Sequence, residues 1–120
     1  MTQQQDWIDN SALGLWSLNF EDRNIPWQSF APGVDIFPLC KTEDGSVKAA
    51  LMRNAPGAEV PEHVHQGYEF ILLLAGSESD ARATYRAGDF IANPPGSSHR
   101  LWSDEGNTVL IIWEASVQFV

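Results

Sequence analysis

The chain has a single cysteine, Cys40, among 120 residues. That excludes an internal disulfide and any Cys-rich zinc site. On its own, Cys40 reads as a small buried hydrophobe. Basic residues are also scarce: 7 Lys and Arg stand against 16 Asp and Glu, a net charge of −9. Such a surface repels phosphate backbones, so neither nucleic acid nor an anionic membrane is expected as a partner. The opening "MTQQQDWIDN" has no basic region and no apolar run, which argues against a secretion signal. No apolar stretch approaches the roughly 20 residues needed to cross a bilayer. A cytoplasmic protein is the default expectation. Long helical periodicity and internal repeats are missing too, and the one biased segment is a Gln run at 3–5.

The chain has enough apolar material for one compact domain. Apolar residues make up 43%, with five Trp and six Phe, more large aromatics than a disordered chain carries. Short β-prone runs alternate with Gly, Pro, Asp and Asn, the pattern of an all-β sandwich or barrel. Strands are expected over 34–41, 46–53, 62–66, 68–75, 80–86, 89–92, 98–103 and 107–115. Turns are expected at "EDGS" 43–46, "RAGD" 86–89, "NPPGSS" 93–98 and "DEGN" 104–107. Pro94 and Pro95 keep their segment out of any central strand. Residues 1–25 form an N-terminal arm or an extra strand, with "LGLWSL" at 13–18 open to either a strand or a short helix. Residues 26–120 form the barrel. The run 68–75 is apolar on both faces, so both need covering. A second sheet covers one face and a second protomer the other, which predicts a homodimer.

Chemistry concentrates in "PEHVHQGYE", residues 61–69. On a strand, His63 and His65 project to one side, about 7 Å apart by strand rise. Imidazoles on one face can share a metal, but a His-x-His pair alone fits a polar surface turn as well. Gly67 permits a bulge that brings Glu69 back toward the same point. His99 is available as a fourth ligand. Three His and one Glu suit several divalent ions, Fe, Zn, Ni, Mn or Cu, and leave open positions on an ion that prefers five or six ligands.

The surrounding spacing sharpens this reading. From Gly57 the chain reads G-x5-H-x-H-x3-E-x6-G, ending at Gly76; from Gly88 it reads G-x5-P-x-G-x2-H, through Pro94 and Gly96 to His99. All three histidines of the chain fall in these motifs. They resemble the two signature motifs of the cupin family. The resemblance implies an antiparallel double-sheet jelly-roll barrel over at least 34–115. It further implies one metal held inside by His63, His65, Glu69 and His99. There are two departures. Ser103 stands where the second motif usually has Asn, and the spacer 77–87 is too short for an inserted lid.

The stretches "PWQSFAPGVDIFPL", "NAPGAEVPEHVHQGYEFILLLAGSESD", "YRAGDFIANPPGSSHRLWSDEG" and "VLIIWE" resemble the cupin domain of ChrR-type anti-sigma factors. Small cupins that cleave β-diketones with oxygen are similar in size and layout. The 25-residue N-terminal segment is too short for the helical sigma-binding region of a full anti-sigma factor, so direct sigma inhibition is not expected. The resemblance implies a metal-dependent dioxygenase acting on a small diketone or other enolisable compound. His63, His65 and His99 would be firm ligands, and Glu69 either a weaker ligand or the catalytic base. The alternative is a non-catalytic sensor whose metal is structural or holds a small ligand. An isomerase or decarboxylase is weaker: Arg53, Arg82, Arg86 and Arg100 are dispersed and form no phosphate cluster. Tyr85, Arg53 and Trp102 are candidate cavity residues, although regular strand spacing turns Trp102 away from His99.

Overall fold

The computed structural model describes residues 18–120. Most of the expected arm at 1–25, and nearly all of "LGLWSL", lies outside the described residues. Ten strands follow in chain order: β1 Gln28–Ala31, β2 Val34–Lys41, β3 Val47–Asn54, β4 Glu59–His65, β5 Glu69–Ser79, β6 Thr84–Arg86, β7 Phe90–Asn93, β8 Ser98–Trp102, β9 Asn107–Trp113 and β10 Val117–Phe119. Among the described residues there is no α-helix, and so none long and apolar enough to cross a membrane.

Neighbouring strands pair antiparallel in the order β1-β2-β3-β9-β5-β8-β4-β10, with β6 and β7 also on β5. This is the curled, all-β barrel of jelly-roll type that the motifs imply. β5 is the strand the two sheets share. Its first half pairs with β7 and β9, its second half with β6 and β8. A register shift between Leu73 and Ala75 separates the halves. It changes the parity of the inward face: Glu69 and Ile71 line the interior before it, Glu78 after it.

Two clusters hold the barrel. The interior one joins Val34, Ile36, Met52, Ile71, Val109 and Ile111. The other lies on the opposite face of β2 and β3, where Phe37, Leu39 and Leu51 are covered by Leu18, Phe20, Ile25 and Trp27, with Leu74 and Leu110 against it. The chain's own segment therefore covers part of the outer surface that sequence reasoning assigned to a second protomer. Tyr68 and Phe90 stay exposed.

The expected strand at 80–86 is shortened to 84–86. Asp80 Oδ1 accepts from the backbone N–H groups of Arg82 and Ala83, an Asx turn that competes with strand pairing. Cys40 is exposed, not buried. Register shifts after Pro38 and Cys40 break the alternation near the end of β2 and turn the thiol outward.

Candidate metal centre

β4 ends on His63 and His65, both buried, while Glu62 between the turn and the site is exposed. Residues two apart on a strand share a face. β8 lies beside β4 and sets His99 directly opposite His63. β5 opens on Glu69, flanked in register by Asn93 on β7 and Trp113 on β9. Three strands thus bring the four residues named from the sequence to one point. One ligand atom from each lies within 4.8 Å of all the others.

Proton positions decide what that point can hold. His63 Nδ1 is 2.8 Å from the Pro61 carbonyl and His65 Nδ1 is 3.0 Å from the Ser97 carbonyl. A carbonyl only accepts, so both rings carry hydrogen on Nδ1, and in the neutral form of each ring the Nε2 lone pair faces inward. His65 Nε2 then faces Glu69 Oε1 at 3.1 Å, and His63 Nε2 faces His99 Nε2 at 3.0 Å. With a neutral His65 this sets acceptor against acceptor across from Glu69, an unfavourable buried arrangement that either a proton on Nε2 or a metal cation resolves. Ligand atoms about 2.1 Å from a common ion sit roughly 3.0–3.4 Å apart at right-angled to tetrahedral bond angles; the His65–Glu69 and His63–His99 distances match this, while His99 and Glu69, 3.8 Å apart, would sit at a wider angle.

Supporting contacts orient the ligands. Trp113 Nε1–H donates to Glu69 Oε2 at 2.7 Å, and Asn93 Nδ2 to Oε1 at 3.3 Å. Burial works to raise the Glu69 pKa, but a proton on His65 Nε2, where no metal takes its place, and the Trp113 hydrogen bond outweigh it and hold the carboxylate below its ordinary value. His99 is pushed down to about 4, first by burial and then by His63. Its buried Nδ1 has no hydrogen-bond partner, and Asp80 Oδ2 lies 3.9 Å away.

Sequence reasoning missed Asn93, Trp113, Asp80 and Glu78. The first two act by register against Glu69, and no spacing rule encodes that. Of the cavity candidates, Arg53 pairs with Asp35 and lies over Trp27, on the exterior. Tyr85 hydrogen-bonds Asp80. Trp102 packs under Arg100, opposite in phase to His99, as the strand spacing predicts.

An interior cavity of about 60 Å³ adjoins the cluster; His63 and Glu69 form part of its wall, with Ile71, Glu78, Val109 and Ile111. Glu78 is 3% exposed. Burial, then Glu69 and Asp80, push its pKa up to about 8 from 4.5. Between those values the folded protein holds a proton that the unfolded chain has lost. Its stabilising contribution is complete below about 4.5 and disappears as pH rises through about 8. In metal-stripped protein, urea melts between pH 5 and 8 should show a loss on the order of a few kcal/mol, and Glu78→Gln should flatten it. An unchanged slope in the variant would assign the loss elsewhere.

A family model described as the ChrR cupin-like domain matches residues 17–118. The chain belongs to that family. This ChrR cupin-like domain is similar in fold to several solved structures. A cupin-like-fold protein from Ralstonia eutropha aligns at TM-score 0.61 and 24% identity, covering 73% of this chain and 59% of that one. A chain of the Rhodobacter sphaeroides complex of SigE with the anti-sigma ChrR aligns at TM-score 0.65 and 23% identity, covering 80% and 51%. An acetylacetone dioxygenase from Acinetobacter johnsonii aligns at TM-score 0.74 and 14% identity, covering 88% and 79%. The chain thus spans just over half the length of the first two relatives. No curated protein sequence matches it. Within this cupin, Ser103 takes a structural place: its hydroxyl donates to the Ser77 carbonyl at 2.6 Å, away from the ligand set.

Proposed function

We propose that this cupin holds one divalent transition metal through His63, His65, Glu69 and His99, and uses it in dioxygenase-like chemistry on a small diketone or similar enolisable compound. The observation that carries the reading is the inward-facing lone pair of His65 set against the Glu69 carboxylate, beside an apolar cavity. Bound there, the ion would supply Lewis acidity toward an enolate oxygen. The protein's own groups do the rest. Backbone carbonyls fix two imidazole tautomers, Trp113 and Asn93 hold Glu69 in place, and aliphatic side chains keep the interior dry. Glu69, held ionised, is placed to balance the charge of the ion and to accept a substrate proton.

A second reading, a non-catalytic sensor, draws support from the family match over 17–118. Metal analysis on protein purified without chelator, followed by oxygen uptake with acetylacetone, separates the two. Iron, nickel or copper with substrate-dependent oxygen loss supports the enzyme. Stoichiometric zinc with no oxygen loss supports the sensor.

A homodimer forms part of the same proposal. Tyr68, Phe70 and Phe90 stack in a row with ring centroids 5.5 and 5.9 Å apart, and Tyr68, Phe90 and Ile112 are exposed on that side. Sedimentation of the same sample at monomer mass would defeat it.

A further inference from the structure

The cavity beside the candidate metal cluster is apolar except for a few groups, and two of these each leave one oxygen without a protein partner. Glu78 Oε2 and Asn54 Oδ1 are both buried without a hydrogen bond, and both residues line this cavity. The orientation of Asn54 follows from its neighbours. Asn107 Nδ2 donates to the Ser77 carbonyl, so Asn107 Oδ1 is left to accept from Asn54 Nδ2 at 2.8 Å. That leaves Asn54 Oδ1 as an unused acceptor. The register shift in β5 brings Glu78 to the interior. A buried carboxyl with an unused oxygen costs stability unless something meets it, and no part of the ligand set described above uses it.

We propose that Glu78 and Asn54 are the recognition groups for a small organic molecule in this cavity, one that offers an oxygen to Glu78 and a hydroxyl or enol hydrogen to Asn54. This rests on the metal reading only in that the other end of the molecule would face the ion. The raised proton affinity of Glu78 fits a carboxyl that donates to the ligand oxygen. The walls, Met52, Ile71, Leu101, Val109 and Ile111, suit a short carbon skeleton. A cavity of about 60 Å³, room for a few waters, excludes sugars and large aromatics unless the walls move. The class is therefore a compact molecule of few heavy atoms with one accepting oxygen and one hydroxyl or enol, which on the metal reading is a small enolisable carbonyl compound.

The test is anaerobic titration of the full chain with acetylacetone, catechol and pyruvate, read by calorimetry and by Trp fluorescence, with metal content measured on every sample. Glu78→Leu removes the hydrogen bond and keeps the volume. It should weaken binding of the tightest probe at least about tenfold, with metal content unchanged and the melting temperature equal or higher. Glu78→Gln retains a donor and should bind within a few-fold of wild type. Asn54→Ala should weaken binding as well.

Wild-type binding in Glu78→Leu overturns the proposal, and so does a wild-type protein that binds none of the three probes. Loss of metal in Glu78→Leu also overturns it, because Glu78 would then support the ion. The two readings fail separately. Metal-free protein whose binding still depends on Glu78 sinks the metal centre alone, whereas metal-loaded protein indifferent to Glu78 sinks this assignment alone.

Discussion

Replacing His99 with alanine should empty the metal centre. Wild-type protein is expected to hold about one ion per chain, and the variant to lose at least about a hundredfold in affinity, since even a residue that merely supports a ligand is worth ten- to a hundredfold. The reason lies in the register. His99 stands across from His63 with the two Nε2 atoms 3.0 Å apart, and the chain has no fourth histidine to take its place. His63→Ala should behave in the same way.

Stability gives an independent readout. An ion at a hundred times its dissociation constant stabilises the folded state by about 2.7 kcal/mol, so added metal should raise the melting temperature of wild type and leave both variants unmoved. Their metal-free forms need not be weaker than metal-free wild type. His99 Nδ1 is buried without a partner, and its removal relieves a cost as well as leaving a space. If both variants keep stoichiometric metal, the centre is not where these four residues place it.

Gly76→Ala should cost most of the fold. Its φ is +76°, and an added Cβ would lie 2.0 Å from the Gly106 carbonyl oxygen and 2.9 Å from Asn107 Cα. Those are backbone atoms at the paired start of β9 and the residue before it, and Ser77 N–H already donates to that oxygen at 3.1 Å. No side-chain rotation relieves the clash. The left-handed conformation costs about 1–2 kcal/mol and overpacking about 1–3 more, against a total stability of roughly 5–15 for a domain. A loss of 15 °C or more in melting temperature, or insoluble protein, is expected. Gly57→Ala is the control. Its φ is +85° but nothing lies within 4 Å of the added Cβ, so only the conformational cost applies. Equal melting temperatures for the two variants would refute the close approach.

These two glycines show how far the sequence could be read. Both belong to the first motif, and spacing alone recovers them. It cannot tell that one guards a turn in open space while the other admits a neighbouring strand. The four candidate ligands were legible because strand periodicity and the motifs fix them locally. β2, β3, β5 and β9 were legible as long apolar runs. β1 and β10 were not, since three or four residues carry too little pattern. Asn93, Trp113 and Glu78 depend on which strand lies beside β5 and where β5 bulges. Those are long-range facts that no short window of the sequence contains.

The strand order has one more consequence. β1 and β10 stand at its two ends, and Phe30 of β1 and Phe119 of β10 both line the interior cavity. Each is about half exposed. The barrel thus has a seam, bordered by two aromatic side chains on short edge strands that do not pair with each other. An ion or small molecule bound as proposed would have its shortest way in at this margin, where no strand pair has to break, while β5 is held on both sides.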